Sequence, residues 1–203
     1  MYKNYITESL ELNSRLFFLI QMNKIIAIQG AEGSNHHKVA RDFYGTTMLL
    51  KECMSFDVLV ASLLSGAATH GVMALENTIA GSIIPNYALI DTNNLHIVGE
   101  EYLNIHHHLM ALPGQQIAHI KEVWSHPMAL LQCKEFFKKH PHIKLVEDVD
   151  TAEVAKRIAK ENLLGIAAIA PKIAAEIFDL EVLEDEIQTM KDNATRFVIV
   201  QTQ

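Results

Sequence analysis

The sequence predicts an α/β fold made of two lobes around a cleft, for two reasons. Beyond the first 21 residues, short apolar runs alternate with helical patterns, which is typical of α/β proteins. The chain has 203 residues, 49% of them hydrophobic, and can bury a sizeable core as one large domain or two small ones. We expect residues 22–99 and 184–203 to form lobe 1 and residues 100–183 to form lobe 2.

The first 21 residues are interpreted as an N-terminal extension. Their apolar stretch, Leu16 to Ile20, is too short for a membrane span, and it follows charged residues. Neither a signal peptide nor a spanning helix is therefore expected. Met22 could itself be a translation start, so residues 1–21 are either an upstream extension or a peripheral helix.

Lobe 1 is predicted from strand patterns that are followed by polar loops and by helices with N-cap residues. Strands are predicted at residues 24–30 and 71–75. Helices are predicted at residues 35–44, between the N-cap Ser34 and Gly45, and at residues 56–64 after the N-cap Ser55. Residues 76–82 are predicted to form a loop that leads into a further helical pattern.

Lobe 2 shows the same alternation. One continuous strand is predicted over residues 100–112, and a strand followed directly by one helix over residues 123–140. Asp150 and Glu153 are spaced as a capping box. The remaining predicted elements are a helix at 150–162, a strand at 164–170, a helix from Pro171 to Phe178 and, beyond the apolar segment 181–183, a strand at 196–200.

Charge and cysteine content indicate which classes of partner and which cellular location to expect. The formal charge is −7, and no basic cluster is longer than Lys138-Lys139, so neither nucleic acid nor an anionic membrane is expected as a partner. A small-molecule ligand is the expected partner. Cys53 and Cys133 lie far apart without a C-x-x-C pair, so we expect no disulfide framework or cysteine zinc site, and a cytoplasmic location.

Three strand-to-helix loops have small or polar residues at the predicted start of a helix, where free backbone N–H groups favour binding of an anion. Their serines are Ser34, Ser82 and Ser125. Helix capping is the ordinary explanation of each serine taken alone. Because ligands of open α/β sheets lie outside the carboxyl ends of strands, the three loops together predict a crevice for a carboxylic acid.

Four further residues are considered for chemistry. Gln132 lies seven residues after Ser125, so both could face one side of the cleft. Glu76 is either a capping or salt-bridging group, or an acid or base. Thr195 offers a hydroxyl and Arg196 a fork suited to a carboxylate, although from these residues alone a surface turn entering an edge strand is the better explanation.

A metal site is not expected. On a strand only His106 and His108 of the run 106–108 could share a face, and no nearby spacing completes a ligand set. No G-x-G-x-x-G, phosphate-binding Gly-Lys-Ser/Thr or G-x-S-x-G motif is present either.

Six segments in order resemble the catalytic domain of prephenate dehydratase, and the resemblance extends from Ile25 to Val200. Small departures from the family pattern occur, among them Asn35 in place of an aromatic residue and Met128 in place of glutamine. The six segments are GAEGSNHHKVA from Gly30, ALENTIAGS from Ala74, SHPMALLQC from Ser125, DTAEVA from Asp150, AAIAPKIAAEIFDLEVL from Ala167 and DNATRF from Asp192.

The resemblance implies an enzyme of phenylalanine biosynthesis that removes CO2 and water from prephenate to give phenylpyruvate. It also implies a two-lobed, periplasmic-binding-protein-like (type II) architecture, and a reaction driven by aromatisation that needs no metal or organic cofactor. Thr195 matches the threonine expected to donate a hydrogen bond or proton to the leaving hydroxyl, and Glu76 is the neighbour expected to supply that proton. The residues expected to bind substrate are Ser34, Asn77, Ser82, Ser125, Gln132 and Arg196, the last either pairing with a carboxylate or stabilising its loop.

Two alternative functions stay open. Arogenate dehydratase performs the same elimination on an amino acid, and a non-catalytic module that binds a small carboxylate would share the fold. The resemblance further implies a homodimer or higher homo-oligomer. Family members commonly carry a C-terminal ACT domain that senses phenylalanine, and because this sequence ends six residues after Phe197 we expect no phenylalanine inhibition of this chain.

Overall fold

The computed structural model describes residues 24–203. The predicted extension at residues 1–21 lies outside the described residues. Two β-sheets, each flanked by helices, form the two lobes, which confirms the predicted α/β class and the predicted division into two lobes.

The first sheet has the strand order β2-β1-β3-β11-β5, with the short β4 paired to β3. Strands β1, β2 and β3 are parallel, whereas β11 runs antiparallel to both β3 and β5. The strands are β1 (Ile25–Gln29), β2 (Leu49–Cys53), β3 (His70–Asn77), β4 (Gly81–Ser82), β5 (His96–Asn104) and β11 (Ala194–Gln201).

The second sheet has the order β10-β6-β9-β7-β8, with parallel pairing of β7 to its two neighbours and antiparallel pairing around β6. Its strands are β6 (His108–Ala111), β7 (Glu122–Ser125), β8 (Lys144–Glu147), β9 (Ile166–Ala170) and β10 (Glu181–Glu184).

Seven α-helices among the described residues cover the sheets. The first two have the predicted bounds, and their caps explain why: Ser34 and Ser55 accept hydrogen bonds from the first turns, and Gly45 adopts φ +78°. The helices are α1 (Asn35–Tyr44), α2 (Phe56–Leu64), α3 (Ile84–Thr92), α4 (Pro127–Gln132), α5 (Lys134–Phe137), α6 (Thr151–Glu161) and α7 (Lys172–Phe178), with a 3₁₀ turn at Ile117–His119. In the described part of the chain, none of these helices is long and apolar enough to cross a membrane.

Several predicted elements differ from the observed ones. The single helix expected within residues 123–140 is divided at Cys133 into α4 and α5, and β2 and β8 were not predicted. Residues 76–82, expected to be a loop, include the end of β3 and the hairpin strand β4. Asp150 does cap α6, accepting from two backbone N–H groups at 2.8 and 2.9 Å.

The chain passes from lobe 1 to lobe 2 and back again, and both crossings lie later in the sequence than predicted. The strand expected over residues 100–112 is two strands in different sheets, because β5 stays in the first sheet as far as Asn104 and β6 begins the second. On the return, β10 remains in the second sheet to Glu184, ten residues before β11 begins at Ala194. The crossings touch each other, since Ile105 N donates to Asn193 O at 2.7 Å.

Each sheet has an apolar cluster on both faces. In lobe 1, Val198 and Val200 of β11 pack on the face covered by α2 and α3, whereas Phe197 and Ile199 pack on the face covered by α1. This alternation fixes which face each residue of β11 presents. Thr195, two residues before Phe197, therefore lies on the α1 face as well.

Candidate functional site

The candidate site lies at one edge of the first sheet, where three strands bring polar residues together. β1 and β3 are parallel, so their carboxyl ends lie at the same edge, and the antiparallel β11 begins there. In this register Thr195 lies opposite Asn77, and Arg196 opposite Glu76. Thr195 is thus a residue of the strand rather than of a turn.

Asn77 holds the Thr195 hydroxyl. The Asn77 Oδ1 accepts from two backbone N–H groups, those of Ile79 (3.0 Å) and Ala80 (2.9 Å). This fixes the orientation of the amide, so its Nδ2 points toward β11. There it donates to Thr195 Oγ1 at 2.9 Å, and also to Asn193 Oδ1 at 2.6 Å and to the Ala194 carbonyl at 3.3 Å.

The Thr195 proton is consequently not used by Asn77. An amide NH₂ group has no lone pair, so Thr195 Oγ1 can only accept in this contact. Thr195 is 7% exposed, at the edge where the strands end. Its O–H is therefore available to donate to a ligand in a largely dry environment.

A β-bulge separates Glu76 from Thr195. Glu76 pairs with Arg196 and Ala74 with Phe197, so Leu75 has no partner on β11 and the alternation of β3 is shifted there. Glu76 consequently lies on the α3 face, where it accepts a hydrogen bond from the Tyr87 hydroxyl. Adjacent strand residues point to opposite faces, so Thr195 and Glu76 are on opposite sides of the sheet.

Arg196 is engaged by two carboxylates on that same α3 face. Its Nε and Nη2 donate to Glu100 Oε2 at 3.1 and 2.8 Å, and its Nη1 lies 3.4 Å from Glu76 Oε1. The hydrogen bond to Glu100 is the main reason that the pKa of Arg196 is raised. Likewise, the hydrogen bond to Glu76 raises the pKa of Tyr87.

These contacts change two predicted roles. Glu76 was expected to supply a proton to Thr195, but it lies across the sheet and is held by Tyr87 and Arg196. Arg196 was expected either to bind a substrate carboxylate or to stabilise its loop, and its pairing with Glu100 and Glu76 favours stabilisation. Sequence spacing could not show this, because the bulge is a property of strand pairing.

The first turn of α1 lies on the Thr195 face. The His36 ring packs edge-on against Phe197, with ring centroids 5.0 Å apart. The residue as a whole is partly exposed, but its Nε2 is buried without a partner among the described residues, and burial lowers the pKa of His36 to about 4. Ser34 caps this helix, accepting from His37 N at 3.3 Å, and keeps its own O–H proton free of that contact.

Lobe 2 contributes Gln132, the last residue of α4. The side-chain Oε1 of Gln132 lies 2.7 Å from Nε2 of His107, and the backbone carbonyl of Gln132 accepts a hydrogen bond from Thr189 N at 2.8 Å. His107 is 6% exposed, and burial lowers its pKa. The sequence drew attention to the histidine run for metal binding, and the contact of its middle member with Gln132 was missed.

Ser82 and Ser125 are not helix caps. Ser82 is an exposed residue of β4, and α3 begins after Ile83. Ser125 is 0% exposed and donates to the Ile169 carbonyl at 2.7 Å, while His126 caps α4. In this structure Ser125 supports the sheet and has no surface to offer a ligand.

Two cavities adjoin these residues. One, of about 310 Å³, lies between the lobes, with Ile79 on one side and Met128, Leu131 and Gln132 on the other. The other, of about 180 Å³, lies on the Glu76 and Arg196 side. A larger cavity of about 620 Å³ lies between the start of α2 and α3, and none of the site residues described above lines it.

Metal and thiol chemistry have no support among residues 24–203. No group of three His, Cys, Asp or Glu side chains in this range could hold a metal ion. His108, one of the two histidines considered for a metal, has its Nδ1 2.9 Å from Asp185. Both cysteines are buried, and burial raises the pKa of Cys133 to about 12, so its thiolate is not available at neutral pH.

The chain is similar in sequence to prephenate and arogenate dehydratases. The family model for prephenate dehydratase matches residues 26–203. Arogenate dehydratase/prephenate dehydratase 6 of Arabidopsis thaliana is 40% identical over 88% of this chain and 43% of its own length. A bifunctional chorismate mutase/prephenate dehydratase of Buchnera aphidicola is 32% identical over 88% of this chain and 48% of its own length. The chain thus spans less than half the length of these relatives.

Solved structures agree in fold. A prephenate dehydratase of Arthrobacter aurescens in complex with L-Phe superposes with a TM-score of 0.78 at 24% identity, covering 88% of this chain and 60% of that one. A protein described as a quorum-quenching acylase, GqqA, also gives a TM-score of 0.78, at 28% identity, covering 89% of this chain and 64% of that one.

Proposed function

Because the chain belongs to the prephenate dehydratase family, we propose that it converts prephenate to phenylpyruvate, CO2 and water. The reaction class is that of a hydro-lyase acting in phenylalanine biosynthesis. The observation that carries this proposal is the Thr195 hydroxyl, which accepts from Asn77 and so keeps its proton for a leaving group. The relatives named as prephenate dehydratases support the choice of substrate.

Thr195 is proposed to donate a hydrogen bond to the departing ring hydroxyl. Loss of CO2 supplies the electron pair that aromatises the ring, and the ring hydroxyl leaves as hydroxide that is stabilised by the hydrogen bond and takes a proton from solvent to become water. A threonine is a weak acid, so its contribution is a fixed hydrogen bond in a site largely closed to water. A well-placed donor of this kind contributes roughly 10²- to 10⁴-fold to the rate.

Asn77 positions Thr195, and Gln132 of lobe 2 is the second polar group proposed to contact the substrate. The loop N–H groups of Ile79 and Ala80 hold the Asn77 amide, so the donor is oriented before substrate arrives. Gln132 borders the inter-lobe cavity together with Ile79. A cavity of about 310 Å³ falls at the lower end of the range for small-molecule sites.

The substrate carboxylates require a partner other than Arg196, which is already paired. The first turn of α1 is the proposed partner, because it lies on the Thr195 face through the His36–Phe197 contact. N–H groups at the start of a helix favour an anion, and α1 has no acidic residue in its first turn. The Ser34 hydroxyl can donate there as well.

The test is turnover by the purified chain. With prephenate, phenylpyruvate should form at a rate far above the spontaneous reaction. Calorimetric binding of prephenate without product would instead support the carboxylate-binding module.

Arogenate dehydratase is the second candidate, since relatives carry that name. Kinetics on the two acids, measured side by side, would separate the candidates by their kcat/KM values. A higher value for arogenate would reverse our choice of substrate.

Two further properties are proposed with the activity. The two buried free cysteines are compatible with a reducing cytoplasm. A homodimer or higher homo-oligomer is proposed from the family alone, and sedimentation of the purified chain would test it.

A further inference from the structure

A buried histidine lies directly behind Gln132. His107 Nε2 is 2.7 Å from Gln132 Oε1, while its Nδ1 is buried and has no partner among the described residues. The His107 backbone is fixed on both sides by the returning chain: its N donates to Gln188 Oε1 at 3.0 Å and its O accepts from Ile187 N at 2.8 Å. The backbone that carries the buried ring is therefore held in place independently of Gln132.

The unpartnered nitrogen decides the tautomer. If Nδ1 carried the proton, a donor would be buried without an acceptor, which folded proteins rarely tolerate. Its Nε2 lone pair would also face the Gln132 oxygen. With the proton on Nε2, the ring donates to Gln132 Oε1 and leaves only an acceptor unpaired. This tautomer then fixes the Gln132 amide with its NH₂ group directed away from His107.

We propose that His107 is a positioning residue, which orients the Gln132 amide so that its two N–H groups face the cleft as donors to an oxygen of the substrate. The inference rests on the proposed function, because it assigns Gln132 a role in that site. Without the His107 donor, the Gln132 amide could turn over and present its oxygen to a substrate that bears two carboxylates.

A double-mutant cycle on the purified chain tests the coupling. His107→Leu removes the donor while keeping the site apolar, and Gln132→Ala removes the group it is said to orient. Each change should lower kcat/KM for prephenate roughly tenfold, the size expected of one neutral hydrogen bond. Because His107 acts only through Gln132, the double variant should lose no more than Gln132→Ala alone.

The matched control is His108→Leu. His108 is as buried as His107, 6% in each case, but its Nδ1 contacts Asp185 instead of Gln132. Any effect of His108→Leu should add to that of Gln132→Ala. His107→Gln, which places an amide donor near the same position, should recover part of the lost rate. Additive losses for His107→Leu and Gln132→Ala, or no recovery with His107→Gln, would overturn the inference.

A readout without substrate separates this inference from the proposed function. Nitrogen-15 NMR of the imidazole distinguishes the two tautomers, and the wild-type chain should show His107 protonated at Nε2 near neutral pH. Wild-type protein that shows this tautomer but turns over neither acid would refute the proposed function and leave the geometry supported. Protonation at Nδ1 would refute the positioning role whatever the activity.

Discussion

Replacing Thr195 by valine separates the chemistry of this residue from its packing. Valine keeps the volume and removes the hydroxyl. Asn77 Nδ2 would lose one acceptor at 2.9 Å but keep two others, Asn193 Oδ1 and the Ala194 carbonyl. No buried donor is left unpaired, so the free energy of unfolding should fall by only about 1 kcal/mol. For a chain of this size that corresponds to a Tm shift of roughly 2–4 °C.

The rate should respond far more strongly than the stability. Loss of the donor to the leaving hydroxyl should lower kcat for prephenate by roughly 10²- to 10⁴-fold, which is about 3–5 kcal/mol in the barrier. Formation of phenylpyruvate measures the rate, and thermal unfolding measures the stability. Thr195→Ser retains a hydroxyl and serves as the matched control, with a rate between the two. If Thr195→Val kept a rate within threefold of wild type, the assignment of the hydroxyl would be wrong.

Three other predictions follow from the same contacts. Asn77→Asp should cost roughly 100-fold or more in kcat, because a carboxylate oxygen would face Thr195 Oγ1 and accept the proton meant for the substrate; retention of more than a third of the rate would contradict this. Arg196→Met should lower the free energy of unfolding by about 1 kcal/mol and leave KM within threefold, since Arg196 pairs with Glu100 and Glu76; a much larger rise in KM would show that Arg196 binds substrate. The His36 pKa of about 4 lies below its usual 6.5, so the folded state binds fewer protons in this window and loses stability as pH falls from 6.5 toward 4; His36→Phe should flatten that slope in urea unfolding, and an unchanged slope would contradict the burial of a neutral ring.

Local signals predicted the helices best. Ser34 and Gly45 define α1 through their own backbone and side-chain preferences, and Ser55 does the same for α2. The strands were predicted less well where pairing decides them. The apolar alternation of residues 100–112 continues through the crossing, and only the partner strands determine that β5 ends at Asn104.

The sequence selected residues that lie together in the structure, but it did not predict their geometry. Thr195 and Asn77 were both selected, and the structure joins them. The position of Glu76 differs from the predicted one for a specific reason: strict alternation from Ala74 places Glu76 on the α1 face, and the bulge at Leu75 moves it to the α3 face. A bulge depends on two strands at once, so a pattern along one strand does not reveal it.

The bulge also bears on how Thr195 can work. With Glu76 turned toward Tyr87 and Arg196, the described contacts place no carboxylic acid beside the threonine. The imidazole on its face, His36, has a pKa of about 4 and is neutral near pH 7, so it does not donate a proton as an imidazolium there. A relay through a neighbouring acid therefore lacks its donor. What remains is a hydroxyl fixed by Asn77 in a site of low exposure, where a single oriented hydrogen bond is stronger than in water. Since aromatisation would drive the proposed elimination, stabilising the departing hydroxyl in this way is the contribution that the geometry allows.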